Sequence, residues 1–173
     1  MNFPNPIWVT GEIETGGFFV DFTRRLSVIM SETKRGDDVT LFINSAGGDM
    51  HTSLGIYDLI RGCMRSVIGI VSGRAESGAS LVLQACRRRI MTSNSMLMLH
   101  KSKITLTRIS VSDGQKALDV FRNLDQRFYE IYNERSGKKF DAGSGDFHFT
   151  AEEALNYGLI DGILSVLPVR LYR

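Results

Sequence analysis

The chain has 173 residues, 43% of them hydrophobic and 23% charged, with a formal net charge of +2. That is enough chain to bury a real core, the composition of a globular protein, and too nearly neutral to point to a nucleic-acid partner. The two cysteines, Cys63 and Cys86, have neither metal spacing nor a disulfide framework, which suits a reducing compartment. No charged n-region with an apolar h-region opens the chain, and no apolar run is long enough for a bilayer, so a cytoplasmic protein is expected. The basic run Arg87-Arg88-Arg89 reads as a solvated turn rather than a phosphate site. No repeat, low-complexity segment or linker divides the sequence, and residues 1–173 are expected to form a single domain.

Strands and helices alternate along the chain. Ile7–Ile13 reads as a strand, broken by Gly16-Gly17. Phe18–Thr33 follows as a helix, with Phe18, Phe22, Leu26 and Ile29 on one face. Asp38–Asn44 is a strand closed by Ser45-Ala46-Gly47-Gly48. Met50–Met64 is a helix with Met50, Leu54, Tyr57, Ile60 and Met64 as its apolar stripe. Val67–Val71 is a strand, Ser77–Ala85 an apolar helix, and Arg89–Thr92 and Met96–His100 two short strands. Ser112–Glu134 is a long amphipathic helix whose apolar face carries Leu118, Phe121, Leu124, Phe128 and Ile131. Thr150 and Glu153 have capping-box spacing at the start of a helix over Ala151–Tyr157, and Leu159–Leu167 ends the chain as strand and tail. This alternation predicts an α/β fold with a mostly parallel sheet and helices on its faces.

In such sheets, sites form where strands end and helices begin. Two of these junctions are rich in small residues: Asn44-Ser45-Ala46-Gly47-Gly48 and Gly73-Arg74-Ala75-Glu76-Ser77-Gly78-Ala79-Ser80. A glycine pair allows a sharp turn and close approach of a ligand to the main chain. Ser77, at the positive end of a helix among N–H groups lacking intrahelical partners, stands where an oxyanion would be stabilised. In most proteins a serine there is only an N-cap. Ser80, the competing nucleophile, lies a turn into the helix, where its hydroxyl would bond a backbone carbonyl. Three histidines offer a base: His100 at a strand end, His51 at a helix start, and His148 between two phenylalanines. A buried carboxylate is needed to fix the imidazole tautomer. Asp146 is the candidate, against a bland reading as a turn aspartate; Asp161 reads as closing a turn. From the residues alone these choices stay open.

The motifs as a set resemble those of the ClpP serine peptidases, from about Ile7 to Leu164. Ile43-Asn44-Ser45-Ala46-Gly47-Gly48 is similar to the family's Ile-Asn-Ser-Pro-Gly-Gly, and Gly73-Arg74-Ala75-Glu76-Ser77 to its Gly-x-Ala-x-Ser, which ends in the nucleophile. Asn94-Ser95 followed by Met98-Leu99-His100 resembles its Asn-Ser … Met-Ile-His. Asp146 precedes Ala151 … Glu153-Ala154 and Tyr157-Gly158-Leu159-Ile160-Asp161, where the family keeps its third triad residue. The resemblance implies a Ser77, His100, Asp146 triad and an oxyanion hole from the N–H groups of Gly48 and Gly78. It implies a serine endopeptidase with no cofactor in this chain, and ATP used only by a partner unfoldase of the AAA+ class. The implied fold is the ClpP/crotonase-like spiral of ββα units with a handle over about residues 101–140. The implied assembly is a heptameric ring, stacked in pairs around a chamber for peptide or unfolded-protein substrates, with no membrane or nucleic-acid partner.

Three departures from the family pattern stand out. The sequence starts almost at the first core strand, Glu76 stands beside the nucleophile in place of a small apolar residue, and Lys101-Ser102-Lys103-Ile104-Thr105 replaces a proline and glycine-rich stretch. A short, diverged member of this kind fits a phage or other mobile element. Two readings of other classes compete. A crotonase-type acyl-CoA enzyme would share the fold and the paired oxyanion donors but rely on acidic residues. A catalytically impaired structural subunit of a ClpP-type ring would be expected to lose a triad member. A serine–lysine pair with Lys101 is disfavoured, because strand neighbours point to opposite faces.

Overall fold

The structure, a computed structural model, describes residues 6–32, 34, 37–140, 145–165 and 167. Among the described residues the main path of the sheet runs β1 (Ile7–Ile13), β2 (Val39–Gly48), β3 (Val67–Glu76), β4 (Arg88–Thr92) and β7 (Gly162–Leu164), each parallel to its neighbour. The expected parallel sheet with covering helices is present. β3 is longer than its apolar run Val67–Val71. Its first half pairs with β4, and Arg74–Glu76 pairs with β5 (Met96–Leu99). β2 likewise runs on through its glycine pair, because Ser45, Gly47 and Gly48 still pair with Gly11, Glu12 and Ile13 of β1. The apolar pattern marks where side chains are buried; backbone pairing continues beyond it.

One strand has no counterpart in the sequence reading. β6 (Phe147–Thr150) runs antiparallel to β5, pairing Met96 with Thr150 and Leu99 with Phe147. Its Phe-His-Phe-Thr alternation is a period-2 signal, shortened to four residues and abutting the capped helix. Of the strand and tail expected over Leu159–Leu167, the strand is Gly162–Leu164, Leu159 and Ile160 are buried just before it, and Val166 lies outside the described residues.

The helices are α1 (Gly17–Glu32), α2 (Met50–Gly62), α3 (Gly78–Ala85), α4 (Val111–Ser136) and α5 (Ala151–Asn156). α1 buries Phe22, Leu26 and Ile29, and α2 buries Met50, Tyr57 and Ile60, as their spacing predicts. Met64 is the exception at 84% exposed: α2 stops at Gly62, and the extended backbone of Cys63 carries the chain off the helix. α3 is buried along its whole length and forms the centre of the core. α4 is buried at Phe128, Tyr129, Ile131 and Tyr132, whereas Leu118 and Val120 nearer its start are exposed. The α5 capping box is formed on both arms, Glu153 N–H to Thr150 and Thr150 N–H to Glu153.

The solvated-turn reading of Arg87–Arg89 is corrected at Arg89. The Arg89 side chain is buried, and Nη2 lies 2.6 Å from Asp161 Oδ1. Asp161 Oδ2 accepts from Arg89 Nε and from its backbone N–H. A guanidinium enters a protein interior only when paired; the partner lies 72 residues away in sequence.

Candidate active site

Ser77 follows the last residue of β3 and caps the start of α3. Its backbone lies at φ 51°, ψ −125°, a conformation that L-residues avoid and that surroundings must enforce. The bland N-cap reading fails here, because the Ser77 side chain makes no capping hydrogen bond. Among the described residues no hydrogen bond holds its hydroxyl. The Ser80 hydroxyl is held: Oγ lies 2.6 Å from the Ser77 carbonyl oxygen and 3.0 Å from that of Met98, as its helical position predicts.

Strand register assembles the rest. The Ser77 N–H donates to the Met98 carbonyl, 2.9 Å, tying the serine to β5. His100 directly follows β5. On the other edge of β5, Leu99 pairs with Phe147 in antiparallel register, so Asp146 stands opposite His100, one step beyond the last pair. β5 therefore has the serine on one flank and the aspartate on the other. His51 and His148 are both exposed and do not line the cleft containing Ser77.

That cleft, about 650 Å³, is lined by Ser77 and His100 together with Gly47, Gly48, Met50 and Lys103. The glycine turn sits against the serine. A Cβ on Gly47, at φ 87°, would lie 2.5 Å from the Glu76 carbonyl oxygen and 2.8 Å from Ser77 Cβ. A Cβ on Gly48 would lie 2.3 Å from the Ile13 carbonyl oxygen. Only glycine allows this approach. The Ser45 hydroxyl steadies the turn, donating to the Gly11 carbonyl and accepting from the Gly47 N–H at 3.0 Å. The Gly78 N–H is in the first turn of α3, where helical N–H groups lack intrahelical acceptors. Gly48 N is 3.7 Å from where a Gly78 Cβ would stand, so the two amides are neighbours. Gly47→Ala is expected to lower the melting temperature sharply. Its positive φ alone costs about 1–2 kcal/mol, and the overlap with backbone atoms adds to that; a thermal melt reads the loss.

Two contacts of a complete triad are absent. Among the described residues no hydrogen bond joins Ser77 to His100, and His100 Nδ1 is buried without a partner. The buried carboxylate expected of Asp146 is corrected: its side chain is 47% exposed, and Oδ2 faces Lys103 Nζ at 4.0 Å. Backbone register brings the aspartate beside the histidine, while its side chain turns to the lysine. Glu76 turns to Arg74, 3.4 Å away. Ser102, two residues past the histidine, is held to α4 by Asp125, which accepts from its N–H at 2.9 Å and its hydroxyl at 2.7 Å.

Comparison with known proteins agrees with this architecture. The family model described as Clp protease matches residues 7–166. The ATP-dependent Clp protease proteolytic subunit 1 of Leifsonia xyli is 29% identical over 91% of this chain and 81% of its own length. The proteolytic subunit of Bacteroides fragilis is 33% identical over 75% of this chain and 65% of its own. A mutant ClpP1 from Listeria monocytogenes has the same fold, with a TM-score of 0.82 at 21% identity, covering 94% of this chain and 92% of that one. With the family model matched from β1 to just past β7, the chain belongs to the Clp protease family, the family of Clp-type serine endopeptidases.

Proposed function

We propose that this chain is a serine endopeptidase in which Ser77, His100 and Asp146 form the catalytic triad. The observation that carries the reading is the uncommitted Ser77 hydroxyl in a strained turn, facing the same cleft as His100. His100 Nε2 takes the Ser77 proton as Oγ attacks the peptide carbonyl, and the N–H groups of Gly48 and Gly78 receive the oxyanion. The tetrahedral intermediate collapses, the amine leaves with the proton from His100, and water resolves the acyl-enzyme by the same steps in reverse. The chemistry asks for no metal or organic cofactor. For the triad to close, Asp146 leaves Lys103 and accepts from His100 Nδ1, satisfying the orphaned ring nitrogen.

The same reading makes the chain one subunit of a cytoplasmic ring that encloses its active sites and receives substrate from an ATP-dependent unfoldase. Support comes from the relatives, which are named as proteolytic subunits of ATP-dependent Clp proteases, and from apolar surface left open on the subunit. Trp8 is 51% exposed and stacks on Phe42 at 4.6 Å, and Leu106, Ile109 and Val111 stand exposed before and at the start of α4. Exposed apolar residues that cluster mark interaction surfaces. Among the described residues no helix is long and apolar enough to cross a membrane. The unpartnered His100 Nδ1 favours a second reading, a structural subunit whose triad never closes.

The two readings separate in one experiment, fluorophosphonate labelling of the assembled chain read by intact mass, with particle size recorded. One adduct per chain supports the peptidase; a folded ring with none leaves the structural subunit. Lys103→Ala is expected to raise the labelling rate a few-fold. An exposed pair such as Lys103 with Asp146 is worth about 0.2–1 kcal/mol, which the aspartate would no longer forfeit on turning to His100. An unchanged or lower rate rejects the lysine as a competitor.

A further inference from the structure

The nucleophile is also connected to α4. Ser80 is fully buried one turn into α3, and its Oγ is 2.6 Å from Tyr132 Oη. Tyr132 is fully buried, 52 residues away on α4. The direction of these hydrogen bonds follows from counting protons. A serine hydroxyl has one proton, and the Ser77 and Met98 carbonyls near Ser80 can only accept. Ser80 therefore donates to a carbonyl, Ser77 being the nearer, and Tyr132 donates to Ser80. Burial pushes the Tyr132 phenol well above its ordinary pKa, so it stays a neutral donor. The chain of donors runs from the Tyr132 hydroxyl through Ser80 to the carbonyl of the nucleophile.

The other side of Ser77 is held as well, its N–H donating to the Met98 carbonyl. Met98 lies two residues before His100, and Ser80 Oγ also approaches its carbonyl. Beyond His100, Ser102 is fastened to Asp125 of α4. One helix thus reaches the nucleophile through Tyr132 and the segment after the base through Asp125. A residue in the conformation of Ser77 persists only where its surroundings over-determine it.

We propose that Tyr132 is a positioning residue for the nucleophile, holding the Ser77 turn against β5 through Ser80. The proposal rests on the peptidase reading. It goes beyond it in assigning two residues outside the triad and oxyanion hole. The competing account is that Ser80 and Tyr132 merely satisfy one another in the core. That account predicts an effect on stability and none on the rate constant of Ser77.

The test is the second-order rate constant for fluorophosphonate labelling of the assembled full chain in wild type, Tyr132→Phe, Ser80→Ala and the double variant, with thermal melts and particle size alongside. Ser80→Ala is expected to slow labelling roughly tenfold, and Tyr132→Phe severalfold, with labelling amplitude following the folded fraction. Because Tyr132 acts through Ser80, Tyr132→Phe adds no further slowing to Ser80→Ala; a double-mutant cycle reads this coupling directly. If Tyr132→Phe does not assemble, Ser80→Ala still reads the link to the nucleophile. Wild-type rate constants in folded variants, whatever their melting temperatures, overturn the proposal, as does slowing that multiplies in the double variant. Wild type that takes no label, or labels equally as Ser77→Ala, removes the peptidase reading and the proposal with it, an outcome distinct from equal rates in a labelling wild type.

Discussion

Ser77→Ala is expected to abolish covalent labelling and to cut peptide hydrolysis by at least about a thousandfold, while leaving the fold and the particle size unchanged. Chemistry and structure separate cleanly at this position. The Ser77 side chain makes no capping hydrogen bond, so removing its hydroxyl removes no structural contact of that kind. The contacts that hold the turn are made by its backbone, from its N–H to Met98 and from its carbonyl to Ser80, and an alanine keeps both. Ser80 is no substitute nucleophile, since it is fully buried and its proton is committed. Intact mass with and without the probe, beside a thermal melt, checks the result. An adduct that persists in Ser77→Ala would reject this serine as the nucleophile, and a large fall in melting temperature would mean that the turn depends on the hydroxyl.

Asp161→Ala is expected to carry a large stability cost although it lies far from the cleft. Arg89 is 5% exposed and spends three donors on this carboxylate, counting its backbone N–H; Nη1 goes to Gln84 at 2.7 Å. Breaking a buried pair from one side strands a charge, at about 3–5 kcal/mol. Asp161 is partly open to solvent, which places the loss at about 2–4 kcal/mol, a drop in melting temperature of roughly 5–15 °C. Adding Arg89→Met to Asp161→Ala is expected to recover much of it, since an apolar side chain leaves no charge behind. A single variant that melts with wild type would show the pair to be dispensable.

The same pair sets an acid limit. Partial burial pushes the Asp161 carboxyl up, but the hydrogen bonds and charge of Arg89 outweigh it and hold the group below its ordinary pKa. Its folded-state pKa is therefore depressed. The stability it contributes is fully present above the unfolded value of about 3.9 and is lost as pH falls through the folded value. Melts at pH 5 and pH 3 should separate in wild type, and separate less in Asp161→Asn.

Much of the fold is legible in the residues because helices and strands are short-range patterns. The faces of α1 and α2 follow from the spacing of Phe22, Leu26 and Ile29, and of Met50, Tyr57 and Ile60, which recur with the helical turn. The α5 capping box is legible for the same reason, its two partners being three residues apart. At the candidate site, the glycine pair and the serine at a strand–helix junction mark the cleft, and family resemblance selects one histidine and one aspartate from several. Where the apolar pattern fades, backbone pairing still runs on, so the ends of β2 and β3 lie beyond their apolar runs.

What the sequence by itself determined about this protein is the order of its elements apart from β6, the buried faces of α1 and α2, its family and the residues at the mouth of the cleft. Only the tertiary structure decided which groups touch. β6 forms because β5 offers it an edge, and that pairing sets Asp146 opposite His100. The Asp146 side chain then turns to Lys103, a contact across 43 residues. Arg89 finds Asp161 at a separation of 72 residues, and Ser80 finds Tyr132 at 52. The physical reason is range: periodicity and capping act within a turn or two of chain, whereas these contacts depend on the register of paired strands and on how a helix seats against the core, which no local pattern of residues encodes.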